Sequence, residues 1–238
     1  MEPGKVGTMK QTDNTTPHNA AEYDVHIKMT IPYYDMMHRE TIDLVQTVKP
    51  DVKTWLDTGC GTGALIDKAC QHFQNTHFIL CDPSQNMLDE CKKRFKSIPD
   101  KKIAIMEPVS SQELDVRCRS GMDVITAIQA HLYLKRDERR KATENCYRLL
   151  DDKGLYVTFE NIHPLFDEGI GIGLERWMKF QVSAGKHERE VEEHGKRFNK
   201  NYFPIRVQEH LDLLKEVGFR MYDLCWYSHM QAGFYAVK

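Results

Sequence analysis

The 238-residue chain has no apolar run approaching the roughly 20 residues a helix needs to cross a bilayer, which excludes a helical membrane protein. It has no surplus charge of either sign. Lys and Arg number 33 against 35 Asp and Glu, a formal charge of −2, so the basic excess that accompanies phosphate-backbone binding is missing and nucleic acid is a disfavoured partner. The seven cysteines, at 60, 70, 81, 91, 118, 146 and 225, are odd in number and contain no C-x-x-C pair. Neither a disulfide framework nor a bound metal is expected, and reduced thiols point to the cytoplasm. There is no repeat and no low-complexity block. The opening MEPGKVGTMKQTDNTTPHNAAE lacks a secretory apolar core and is too polar to pack, so residues 1–22 read as a disordered tail. The sequon at Asn14-Thr15-Thr16 carries no weight without secretion.

What is present is an alternation. From Val52 onward, short apolar runs (Lys53 to Asp57, His77 to Asp82, Lys102 to Met106, Met122 to Ile128, Leu155 to Glu160, Phe219 to Tyr227, Gln231 to Val237) alternate with helical patterns. This is the signature of an α/β fold, a largely parallel sheet between two layers of helices. Leu65, Ile66, Ala69, Cys70 and Phe73 form one helical face. Ser84 is a good N-cap for a helix carrying Met87, Leu88, Cys91 and Phe95 inward, with Asp89/Lys93 and Glu90/Arg94 pairs outward. Val207, Leu211, Leu214 and Val217 form a stripe that Gly218 ends. Two segments fall outside the alternation: residues 23–46, helical on either side of Pro32, and an insertion at 161–203 with GIGIG, apolar Leu174, Trp177, Met178 and Val182, and a charge-dense end. Both read as a lid over the carboxyl edge of the sheet, where open α/β sheets bind ligands. The whole of 23–238 is expected to be one domain.

The sharpest signal is Trp55-Leu56-Asp57-Thr58-Gly59-Cys60-Gly61-Thr62-Gly63-Ala64, a strand running through a glycine-rich turn into a helix. Gly59, Gly61 and Ala64 also fit a dinucleotide fingerprint, with Asp82 about 20 residues on. Asp57 argues against that reading, because its carboxylate at the mouth of the strand would repel a pyrophosphate. A ligand with an ammonium group and no phosphate, such as S-adenosylmethionine (SAM), turns Asp57 into an asset: Asp57 and the loop amides suit its amino-acid end, and Asp82 its ribose hydroxyls.

LDTGCGTGA, FILCDPSQNMLDECKKRF and the paired last strands FRMYDLCWY and MQAGFYAVK resemble the class I SAM-dependent methyltransferases over residues 23–238. The resemblance implies a Rossmann-like sheet of order 3-2-1-4-5-7-6 with strand 7 antiparallel, joined to strand 6 by a Ser228-His229 turn. Within that superfamily the chain is most similar to the branch of carboxy-SAM synthase and its small-molecule methyltransferase relatives, through IPYYD, the Lys196-Arg197 pair and HLDLLKEVGF. That branch implies cofactor contacts at Tyr34, Gly59, Cys60, Gly61, Asp82 and Pro83, with Met87 against the adenine, Val109 and Ser110 at its edge, and Ala127 on the fourth strand. The synthase has serine at Gly61 and asparagine at Ala127, and many relatives have an acid at Val109; these departures favour ordinary SAM and leave Ser110, Ser111 or a carbonyl to receive the adenine amino group.

Substrate candidates are Tyr33, whose ring face could also attract a sulfonium, Trp177 in the insertion, and Arg197, whose donor fork suits a carboxylate. His131, Glu160 and His163 fall at the carboxyl edge and are the candidate bases. Methyl transfer is a direct displacement governed by positioning, so no catalytic dyad is required. The expected activity is methyl transfer to a small-molecule acceptor, leaving S-adenosylhomocysteine (SAH). A carboxy-SAM synthase-like or tRNA-modifying enzyme and a non-catalytic SAM binder are the alternatives. The stretch Lys135-Arg136 with Arg139-Arg140-Lys141 could meet phosphate, but Asp137 and Glu138 interrupt it. A lid arginine reaching a neighbouring subunit would make a homodimer.

Overall fold

The computed structural model describes residues 16, 18–116 and 120–238; most of the expected tail, with Asn14 and Thr15 of its sequon, and Cys118 lie outside the described residues. Seven strands form a single sheet in the order β3-β2-β1-β4-β5-β7-β6. They are β1 Thr54–Thr58, β2 His77–Cys81, β3 Ile103–Ile105, β4 Met122–Ile128, β5 Leu150–Asn161, β6 Met221–Ser228 and β7 Gln231–Val237. The first five pair in parallel, and β7 runs antiparallel between β5 and β6. Order and direction match the sequence expectation.

Because side chains alternate across a strand, neighbouring residues feed opposite layers. Trp55 packs in one apolar cluster with Ile66, Phe73 and Phe78, whereas Leu56 packs in the other with Ile125, Tyr156 and Phe234. Helices therefore cover both faces, which is why the central strands read as unbroken apolar runs. On the first face lie α1 Tyr23–Thr30, α2 Tyr34–Val48, α3 Ala64–His72 and α4 Gln85–Phe95; α5 Arg136–Leu149 and α8 Val207–Val217 lie on the second. The insertion supplies α6 Gly169–Ser183 and α7 Glu188–Gly195. Ser84 caps α4, its Oγ accepting from the Met87 amide at 3.1 Å, and Gly218 ends α8 at φ +111°. Among the described residues no helix is long and apolar enough to cross a membrane, and no group of three or more His, Cys, Asp or Glu is placed to hold a metal.

Several local expectations are corrected. Order begins before residue 23: His18 is buried with Nε2 3.0 Å from Thr30 Oγ1, and Ala20–Glu22 form a 3-10 turn. The β5 strand starts at Leu150 instead of Leu155, because Leu150 pairs with Met122 and the ladder resumes at Leu155 with Val124 across an irregularity that holds Asp151 to Gly154. The β6–β7 turn is His229-Met230, with His229 at φ +52°, because Ser228 still pairs with Gln231. In α4, Lys93 pairs with Glu90 three residues back, and Arg94 turns away to Asp24 in α1. The basic run in α5 is divided: Arg139 is buried, and Arg140 pairs with Glu216 of α8.

Candidate active site

At the carboxyl edge of β1, β2 and β4 lies a cavity of about 330 Å³. The first strand ends at the glycine loop, and Gly59 is the position where the chain comes closest to its neighbour. It sits at φ +71°, and a Cβ there would lie 2.4 Å from the Cβ of Ala130, beyond β4. Only glycine satisfies both conditions. The loop is pinned to β2 by the Gly59 and Cys60 amides, which donate to the Cys81 carbonyl at 2.8 and 3.0 Å.

Asp82 completes this clamp. Its Oδ2 accepts from the Gly61 amide and its Oδ1 from the Ser84 amide, both at 2.9 Å. The carboxylate thus bends the loop, starts α4 and still lines the cavity. Asp57 is buried with fewer partners. Trp55 Nε1 donates to Thr126 Oγ1 at 2.9 Å, and Thr126 in turn donates to Asp57 Oδ1 at 2.6 Å. Burial, reinforced by the nearby negative charge of Asp82 and opposed by the Thr126 bond, pushes the Asp57 carboxyl up to about 7.

The opposite wall comes from the N-terminal helices. Tyr23 and Tyr34 are hydrogen-bonded to each other through their hydroxyls, and Tyr34 stacks edge-on against His38 with ring centres 4.6 Å apart. Burial chiefly, with the charges of Asp24 and Asp57, raises the Tyr34 phenol well above its ordinary value. Burial lowers His38 to about 3, so it is neutral. Ser110, Ser111 and Gln112 line the far end. Ser110 Oγ donates to Glu113 at 2.7 Å, Ser111 shares a 2.6 Å bond with Thr58, and Gln112 Oε1 is buried without a partner. Asp57, Asp82 and Glu138 line the cavity, and no Lys or Arg is among its described lining residues.

Of the residues singled out in the sequence, Tyr34, Asp57, Gly59, Cys60, Gly61, Asp82, Pro83, Met87 and Ser110 converge on this cavity. Val109 and Ala127 do not line it: Val109 is buried with its amide on the Asp82 carbonyl at 3.1 Å, and Ala127 is fully buried in the sheet, where its short side chain cannot reach the edge. Tyr33 is half exposed and lies against Trp226 and His229. Trp177 is core, its Nε1 donating to the Thr30 carbonyl at 2.6 Å and so fastening the insertion to α1.

The three candidate bases also lie elsewhere. His131 and Glu160 face a separate small void with Arg139, Tyr156 and His210. Burial and the Arg139 charge take His131 down to about 3, and burial, opposed by Arg139, raises Glu160 to about 7. His163 bonds the Pro164 carbonyl at 2.8 Å outside the cavity. Arg197 lines a smaller hollow that shares Thr16, Tyr23, Gln129 and Tyr133 with the large cavity. Sequence reasoning missed Tyr23, His38, Gln129 and Tyr133. His38 stands one turn from Tyr34 in α2 and follows from helical spacing, whereas nothing local marked Tyr23, Gln129 or Tyr133.

Known proteins agree with this picture. A family model described as a methyltransferase domain matches residues 56–156. The chain is 21% identical to the carboxy-S-adenosyl-L-methionine synthase of Nautilia profundicola over 219 residues, 92% of each chain. It is 20% identical to that of Helicobacter hepaticus over 208 residues, 84% of each. Among solved structures, the Synechocystis magnesium protoporphyrin IX methyltransferase with bound SAH superposes with a TM-score of 0.61 at 13% identity, covering 92% of this chain and 95% of that one. A Nostoc punctiforme protein described as a putative O-methyltransferase superposes with a TM-score of 0.66 at 14% identity, over 97% of this chain and 64% of that one. These likenesses support a class I SAM-dependent methyltransferase related to the carboxy-SAM synthases.

Proposed function

We propose that the cavity binds SAM and that the protein moves its methyl group to a small-molecule acceptor. The observation that carries this reading is the charge of the cavity: two buried carboxylates at adjacent strand tips, with no Lys or Arg among the described lining residues. Such a site is matched to a cation and opposed to a pyrophosphate. When bound, SAM supplies a methyl group on a positively charged sulfur, transferred by in-line displacement.

The roles of the chain's own residues follow from where they stand. Asp57 faces the ammonium of the amino-acid end, whose charge restores its ionised form. Asp82, which lines the cavity and holds Gly61 and Ser84, receives the ribose hydroxyls. Met87 and Pro83 pack on the adenine, and Gln112 Oε1, a buried acceptor without a partner, takes the adenine amino group in place of the acid missing at Val109. Tyr23, Tyr34 and Tyr133 exclude water and turn aromatic surface toward the sulfur. His131, Glu160 and His163 have no part at the reacting atoms in this reading. Residues 23–46 wall the site through Tyr23, Tyr34 and His38, and 161–203 border the hollow beside it through Asn161, His194, Arg197 and Tyr202.

Mass spectrometry of ligand carried through purification tests the reading, followed by turnover with an acceptor panel; SAM or SAH is the expected mass. A second reading is a carboxy-SAM synthase activity, favoured by the names of the relatives and by Arg197 in the hollow beside the cavity. Alanine at 127 and glycine at 61, where the synthase resemblance implies asparagine and serine, weigh against it, and a ligand heavier than SAM by one carboxylate would establish it. We further infer a cytoplasmic homodimer that does not bind nucleic acid. Exposed Leu165, Phe166 and Ile172 at the start of the insertion suit association of two copies, and light scattering at twice the 27.8 kDa chain mass is the expected result.

A further inference from the structure

Beside the cofactor cavity is a hollow of about 20 Å³, room for a group of one or two heavy atoms and not for a whole molecule. Thr16, Tyr23, Gln129 and Tyr133 line both spaces, so the hollow adjoins the cavity and a molecule lying in the cavity can reach a small group into it. Three residues that border the hollow each carry a buried polar atom with no hydrogen-bond partner: Gln129 Oε1, Asn161 Oδ1 and Tyr202 Oη. All three residues are more than nine-tenths buried, and a buried polar atom left unpaired is costly to the fold, so their coincidence around one space is a sign of use.

The two amides are held firmly. Gln129 follows β4 in a left-handed conformation, φ +55°, which a glutamine adopts at a cost. Its amide nitrogen donates to Gln231 Oε1 at 2.8 Å, which turns Oε1 away from Gln231. Asn161 ends β5 directly across from Gln231 in the β5–β7 ladder. Two carbonyl-type oxygens on neighbouring strand ends therefore border the same space, next to the place where a methyl donor would lie.

We propose that this hollow receives the hydrogen-bond-donating group of the methyl acceptor, an uncharged amine or hydroxyl, held by the side-chain oxygens of Gln129 and Asn161. The inference rests on the methyltransferase reading above and deepens it by naming the acceptor chemistry. An uncharged primary amine fits best, because its two N–H bonds satisfy the two oxygens and its lone pair stays free to attack. The nitrogen lone pair forms the new N–C bond as the C–S bond breaks, sulfur keeps the bonding electrons, and the surplus proton on nitrogen passes to water. A charged ammonium is disfavoured, since the charges of Lys186 and Arg197 reach the hollow strongly enough to lower His18 and His194, both of which line it. Those histidines, held near 3 mainly by burial, are poor proton acceptors for a hydroxyl.

The test uses the full chain saturated with SAH and three probes of one size: aniline, phenol and toluene. Titration followed by ligand-detected NMR is expected to show aniline or phenol bound at least tenfold more tightly than toluene, with aniline ahead assigning an amine and phenol ahead a hydroxyl. Asn161→Leu, remote from the SAH cavity, should keep SAH affinity and bring aniline to within threefold of toluene; Gln129→Met should erase the same preference. Equal binding of toluene and aniline to the unaltered protein, or a preference that survives Asn161→Leu, overturns the proposal while leaving the methyltransferase reading intact. Failure of SAH itself to bind overturns both.

Discussion

A buried carboxyl that must ionise to receive a cation makes ligand affinity depend on pH, and Asp57 sets the size of the effect. Its folded-state value of about 7 lies above the 3.8 of the free side chain. If only the ionised form binds the SAM ammonium, apparent affinity falls as the protonated fraction grows. Between pH 7.0 and 5.5 the loss is about fifteenfold by simple titration about that value, a range in which an α-amino group remains charged. Binding at pH 7 should release about half a proton, read by calorimetry as heats that differ between buffers of different ionisation enthalpy. Asp57→Asn should weaken SAM at pH 7 and remove both the pH slope and the released proton. The same shift has a signature without ligand. Because the folded value is raised, the unfolded chain gives up this proton at lower pH than the native state does, so the carboxyl's contribution to stability, complete below 3.8, is lost as pH rises through 7. The shift amounts to about 4 kcal/mol, so relative to Asp57→Asn the unaltered protein should lose stability steadily from pH 4 to 7 in denaturant titrations. SAM affinity that is flat between pH 5.5 and 7.0 in the unaltered protein would show that Asp57 does not ionise on binding.

Other substitutions separate the site from the scaffold. Gly59→Ala combines a left-handed φ with a 2.4 Å clash against Ala130; a loss of about 2 kcal/mol in urea titrations and of SAM binding in calorimetry is expected. Gln112→Leu should weaken SAM about tenfold, the equivalent of one hydrogen bond, with less effect on an analogue lacking the adenine amino group. Glu160→Ala removes a buried carboxyl that accepts from Thr158 and feels the charge of Arg139, and should lower stability by about 1–3 kcal/mol, yet at a temperature where the variant is folded its SAM affinity should match the parent, because Glu160 faces a different void. Trp177→Ala should cost about 3–5 kcal/mol, from the cavity left and the bond lost to Thr30, with early proteolysis in the insertion.

The sheet was legible because its central strands are buried on both faces and are punctuated by residues with one physical use: Ser84 as a cap, Gly218 as a stop, Pro32 as a break. Asp57, Asp82 and the glycine loop were legible because a charged residue closing an apolar strand has few structural explanations. The reacting edge was less so. His131 and Glu160 occupy the right ends of the right strands, but a strand end presents side chains to both layers, and theirs turn to the second, where Arg139 meets them. Arg139 itself, inside a run of charges, read as solvent-facing; its carbonyl partners at His131 and Phe203 are 8 and 64 residues away. Gln129 and Asn161 gave no sign, since a left-handed turn and an unpaired oxygen are properties of the folded chain alone.

Calorimetric titration of the purified chain and its Asp82→Ala variant with SAM, SAH and NAD decides most directly whether the cavity takes a sulfonium nucleoside or a dinucleotide. The predicted result is saturable binding of one SAM or SAH per chain, no response to NAD, and a loss of at least tenfold in the variant. Saturation by NAD with silence from SAM and SAH, or a variant that binds SAM as tightly as the parent, would contradict it.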